Sequence, residues 1–103
     1  MKFIHEDHKI YVLDENQKEI VVATFPQFSE GVVNVDHTFV DPSLRGQGVA
    51  SQLMHEVVAY AKSKNLKMVA TCPYAVAWFK RHPEFNDMID QDAQQHLDPQ
   101  CRI

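Results

Sequence analysis

The sequence predicts an α+β (α/β) domain in which an antiparallel meander leads into a βαβ unit and closes with a short C-terminal helix. Three observations carry this. The first 40 residues alternate with the strand period of two. From Val49 the apolar positions recur with the helical period, and a short apolar stretch, Lys67 to Thr71, follows that helix. A chain of 103 residues buries roughly 60–65% of its unfolded surface, which allows one core.

The elements follow in order. His8 to Leu13 places Ile10 and Val12 on one face and Tyr11 and Leu13 on the other, and Asp14, Glu15, Asn16 and Gln17 supply turn chemistry before Glu19 to Phe25 resumes the alternation. These two strands make a hairpin. A loop containing Pro26, Ser29 and Gly31 is expected next, then a third strand over Val32, Val33, Val35, Thr38, Phe39 and Val40, ended by Asp41 and Pro42. From Val49 to Ala61 a broad apolar stripe predicts a helix, with Ser51, Gln52, His55, Glu56 and Lys62 facing water. Asn65 followed by Leu66 reads as its left-handed C-cap. Strand three, this helix and Lys67 to Thr71 form the βαβ unit, whose two strands should be parallel. A second helix, from Tyr74 to Arg81, lies between Pro73 and Pro83. One more helical turn and a loose tail are expected beyond Phe85, so the domain is assigned to residues 1–89 and the tail to 90–103.

Composition excludes several function classes. The longest apolar run, Tyr74 to Phe79, is six residues, against about 20 for a membrane span. Cytoplasmic residence is the expectation, with no membrane partner and with Cys72 and Cys101 as reduced thiols. Fourteen acidic residues against 10 Lys plus Arg give a net charge of -4, which argues against a nucleic-acid partner. No metal site is expected: on a strand His5 and His8 point to opposite faces. Any anion site must be local.

The informative stretch is Leu44-Arg45-Gly46-Gln47-Gly48-Val49-Ala50-Ser51, between the third strand and the first helix. Glycines there permit positive φ and close approach of an anion, and the free N–H groups of a helix start bind phosphate without net basic charge. Arg45 adds one mobile cation. A Walker loop would need Lys-Ser/Thr where Val49-Ala50 stands, so ATP hydrolysis is not expected. A dinucleotide fold would need further βαβ units for which the chain has no room.

The pattern Arg45-x-x-Gly48-x-Ala50 after an antiparallel meander resembles the acetyl-CoA pyrophosphate loop of the GNAT acetyltransferase superfamily. His37-Thr38-Phe39-Val40, the glycine loop, Cys72-Pro73-Tyr74 and Arg81-His82-Pro83-Glu84-Phe85 resemble, in order, the blocks of small single-domain GNAT-like N-acetyltransferases, over about residues 3 to 89. The resemblance implies an acetyl-CoA-dependent N-acetyltransferase acting on an amine acceptor, small or protein-borne. It implies that the third strand splays from the fourth and bonds the pantetheine arm through the backbone around Phe39 and Val40. It also implies that the N–H groups of Gly46, Gln47, Gly48, Val49 and Ala50, with Ser51 and Arg45 beside them, hold the pyrophosphate of CoA. A CoA-binding module without transferase activity is the alternative, because Phe39 and Phe79 stand where many relatives carry Glu and Tyr. A monomer or weak homodimer is expected.

Acetyl transfer needs a neutral amine and a proton for the departing thiolate. Cys72, at a strand end before a helix, is either a proton donor or acetyl acceptor, or a small buried residue. Tyr74 offers a phenol or packs beneath the helix. His37 is either a base acting through water or a half-buried strand histidine. His82, before Pro83, is expected to cap or pack.

Overall fold

The computed structural model describes residues 2–97. Strands β1 (Ile4–Glu6), β2 (Lys9–Leu13), β3 (Glu19–Thr24), β4 (Gln27–Ser29), β5 (Val32–Val35) and β6 (His37–Val40) precede helix α1 (Val49–Ser63). Strand β7 (Lys67–Ala70) and helices α2 (Pro73–Lys80) and α3 (Gln91–Gln95) follow. Two 3-10 segments, Pro42–Leu44 and Pro83–Met88, fill connections.

The meander forms as expected. Asp14 closes the β2–β3 turn by accepting from the N–H groups of Asn16 (2.8 Å) and Lys18 (2.9 Å). Strands β1, β2, β3 and β6 make one antiparallel sheet in that order. A second sheet has the order β4-β5-β7, with β5 and β7 parallel, Val32 against Lys67 through Val35 against Ala70. The βαβ unit is therefore present.

The stretch expected as one third strand is two. Asp36 N–H donates to the Thr24 carbonyl at 3.3 Å while His37 sits opposite the same Thr24. Two residues facing one is a β-bulge, which bends the strand and hands it from one sheet to the other. Before the bulge the chain pairs with β7, and after it with β3. Two other expectations need correction. The Pro26 to Gly31 loop contains β4, which pairs with β5; its residues are all exposed, so no alternation marked it. His8 is not on a strand: it turns between β1 and β2 with φ 62°, and its Nδ1 lies 3.1 Å from the Phe25 carbonyl.

One core joins the sheets to the helices. Ile10, Val12, Val21, Ala23, Val33 and Val35 bury one sheet face against Val49, Leu53, Met54, Val57, Val58 and Ala61 of α1 and against Val76 and Phe79 of α2. Asn65 ends α1 at φ 58°, and Leu66 packs onto the core and donates to the Ala61 carbonyl at 2.8 Å, the cap the sequence predicted.

From Asp90 to Gln94 the chain stays packed. Asp90 N–H donates to the Met68 carbonyl at 2.9 Å. Gln94, 1% exposed, accepts from Ala70 N–H (2.8 Å) and donates to Ala70 C=O (2.9 Å). Its amide thus imitates a strand residue and seals the outer edge of β7. The tail residue Cys101 lies outside the described residues. Among those described, no helix is long and apolar enough to cross a membrane.

Candidate active site

The Asp41 to Ser51 segment builds the first wall. Asp41 caps the 3-10 turn by accepting from Ser43 N–H (2.9 Å) and Ser43 Oγ–H (2.6 Å), and these bonds hold its carboxyl below the usual carboxylate range. The chain then leaves through Gly46 (φ 85°) and Gly48 (φ 75°). A left-handed Gly48 serves as N-cap of α1, and no side chain among the described residues caps that helix. The first intrahelical bond runs from Gln52 N–H to the Gly48 carbonyl at 3.1 Å. The N–H groups of Val49, Ala50 and Ser51 therefore point out of the helix, with the positive end of the macrodipole behind them.

The second wall is β6. Asp41 N–H bonds the Ile20 carbonyl at 2.7 Å, and the β3–β6 register pairs Phe39 with Val22. By antiparallel alternation, Phe39 spends its own N–H and C=O on β3, while Thr38 and Val40 turn theirs to the free edge. The main-chain groups left free on this edge are thus those of Thr38 and Val40, while Phe39 brings its ring, 38% exposed. The free edge exists because of the bulge. Beyond Val35 the N–H groups of Thr71 and Cys72 both converge on the Val35 carbonyl (3.1 Å each), and β6 and β7 then diverge.

Between the walls lies a cleft of about 450 Å³. It is lined by Phe39, Val40, Arg45, Gly46, Gly48, Val49, Ala50, Ser51 and Tyr74, all named from the sequence, and by Thr38 and Leu44. Gln47 is not in the lining; its side-chain amide turns back to the Ser43 carbonyl (3.5 Å). Ser51 has a structural duty as well, accepting from Trp78 Nε1–H at 3.0 Å and so tying α2 to the start of α1.

Cys72 is the N-cap of α2, is 7% exposed, and its Sγ lies 3.3 Å from Thr38 Oγ1 across the divergence of the strands. Thr38 was missed as a site residue because alternation places a half-buried threonine without saying what it meets. Tyr74, the second residue of α2, borders the cleft, and burial is the main cause that raises its phenol above the ordinary value of 10.0. Its hydroxyl is therefore protonated at neutral pH. His37 is exposed on the opposite sheet face, beside Phe39 rather than beside Cys72. Phe79 is buried in the core and His82 stacks on Trp78 with ring centres 3.9 Å apart, so neither reaches the cleft.

The profile of the GCN5-related N-acetyl-transferase family matches residues 9–88. The solution structure of a GCN5-like protein from Staphylococcus aureus is similar to this chain at 30% identity with a TM-score of 0.71, over 85% of this chain and 86% of that one. A Bacillus cereus acetyltransferase is 27% identical with a TM-score of 0.58, over 72% of this chain and 54% of its own. Tetrahymena GCN5, 20% identical with a TM-score of 0.58 over 74% and 51% of the two chains, shares the fold. This chain thus spans about half the length of the latter two. No curated protein matches it in sequence.

Proposed function

The chain belongs to the GCN5-related N-acetyltransferase family, and from that premise we propose that it transfers the acetyl group of acetyl-CoA to an amine, with CoA held in the cleft between β6 and the start of α1. One observation carries the reading. Three outward N–H groups at Val49, Ala50 and Ser51 and the free main-chain edge of β6 open onto the same cleft. A pyrophosphate suits the first and an amide-bearing arm suits the second.

The fit is one of main chain. A Cβ built on Gly46 or Gly48 meets nothing within 4 Å beyond its chain neighbours, and both glycines line the cleft, so a side chain at either would project into open space there. Arg45, exposed at the rim, adds a cation for phosphate. When bound, acetyl-CoA supplies an acetyl group activated as a thioester. The chain supplies position and protons: Thr38 and Val40 align the arm, and Tyr74 donates to the departing thiolate. Cys72, hydrogen-bonded to Thr38, is a second donor or an acetyl acceptor, and His37 accepts the amine proton through water.

The test is a CoA titration followed at the backbone amides. Saturable shifts over Gly46 to Ser51, together with CoA release when an amine is added to the acetyl-CoA complex, are expected. Shifts without any CoA release would leave a CoA-binding module, and no saturable shift would end the reading.

A further inference from the structure

The bulge that splits the third strand also re-aims two side chains. Val21 and Ala23 point into the core, so Val22 and Thr24 lie on the opposite, open face of the sheet. His37 and Phe39 stand across from Thr24 and Val22 and share that face. Asp36 would fall on the core side in a regular strand. At the bulge it comes round to the open side, where Thr24 Oγ1–H donates to Asp36 Oδ1 at 2.6 Å.

An exposed carboxylate, an exposed imidazole and a partly exposed aromatic ring thus sit together at the point where β6 leaves β7. Phe39 belongs to both surfaces, since it shares this open face with Val22 and also lines the cleft. Asp36 lies two strand residues, roughly 6–7 Å, from the Thr38–Cys72 contact. The cation in the same cross-strand row, Lys9, is held at 2.5 Å by Glu19 and lies over the Tyr11 ring.

A carboxylate in this place has a definite consequence for an amine acceptor. The attacking nitrogen is neutral when it approaches the thioester, so in the bound ground state a fixed negative charge gains little from the reacting group itself. It gains from a second, still protonated nitrogen a short alkyl chain away, with the Phe39 ring offering apolar surface to that chain. We infer that Asp36 is a specificity-determining residue that holds a second positive charge of the acceptor, so that diamines and polyamines are preferred over monoamines. This rests on the proposed acetyl-CoA reading.

The experiment compares spermidine and n-butylamine as acceptors in steady-state kinetics, with CoA binding measured separately by calorimetry. In the wild type, spermidine should show the lower KM, and that advantage should shrink as salt is raised. Asp36→Asn keeps an acceptor for Thr24 and removes the charge. It should raise the spermidine KM roughly three- to fivefold at low ionic strength, the range of an exposed charge pair. The n-butylamine KM, both kcat values and CoA affinity should stay unchanged. Equal KM values for the two amines in the wild type, a spermidine KM insensitive to salt, or an equal rise for both amines in Asp36→Asn would overturn the inference. So would CoA binding without acetylation of either amine. A wild type that binds no CoA would instead remove the reading on which it rests.

Discussion

Gly48→Val separates the ligand-binding role of the loop from its conformation. Gly48 sits at φ 75°, and Gly31, in the β4–β5 turn, sits at φ 73°. A Cβ at either position meets no protein atom within 4 Å. Valine at each therefore incurs a similar left-handed strain, about 2 kcal/mol, with no clash at its Cβ. In a domain of this size that lowers Tm by roughly 8–16 °C, equally for the two variants. Of these two glycines, Gly48 borders the cleft and Gly31 does not. Its branched side chain would displace a pyrophosphate from the N–H groups of Val49 and Ala50, and one charge-assisted hydrogen bond lost is worth about 1.5–3 kcal/mol, or roughly 10- to 150-fold in Kd. Thermal melts and CoA calorimetry on both variants are the assay. Matching melts with CoA affinity lost only in Gly48→Val are expected. If folded Gly48→Val and Gly31→Val bind CoA equally well, the loop does not hold the pyrophosphate and the reasoning is refuted.

Gln94→Leu should unpair the buried N–H and C=O of Ala70 and cost about 2–5 kcal/mol in urea unfolding; a loss below about 0.5 kcal/mol would show that β7 needs no seal. For Tyr74, the raised phenol pKa keeps the donor protonated through neutral pH, so no loss of kcat from its ionisation should appear below the ordinary phenol value of 10.0. Tyr74→Phe should lower kcat roughly 100-fold across that range, and unaltered kcat would remove the phenol from the reaction. Intact mass after incubation with acetyl-CoA tests Cys72: an acetyl mass gain that persists in Cys72→Ala excludes it as the sole acceptor. Asp41, with its folded pKa below the unfolded 3.8, favours the folded turn above that value and loses this as pH falls through the folded pKa. The Ser43 amide resonance should therefore hold constant from neutral to about pH 4 and move below it, and an earlier shift would contradict the Asp41 cap.

The sequence by itself determined the local elements that are set by period and by punctuation. Alternation wrote the β2–β3 hairpin, the helical stripe wrote α1, and Asn65-Leu66 and Pro73 marked helix boundaries within a residue or so, because these signals act over a few neighbouring positions. The glycine loop was legible for the same reason: left-handed backbone at a helix start is a local requirement, and nearly all of its residues line the cleft. Tertiary structure decided what depends on a partner strand. Whether Val32 to Val40 is one strand or two turns on the bulge opposite Thr24, and no residue within that stretch announces the partner. That single bulge opens the free edge of β6 and brings Asp36 onto the same face as His37 and Phe39. Pairing also fixed which main-chain groups face the cleft, those of Thr38 and Val40 in place of Phe39, since a shift of one residue exchanges bonded and free edges. Gln94, polar and set in a segment that reads as tail, is buried because its amide supplies the hydrogen bonds that the edge of β7 lacks.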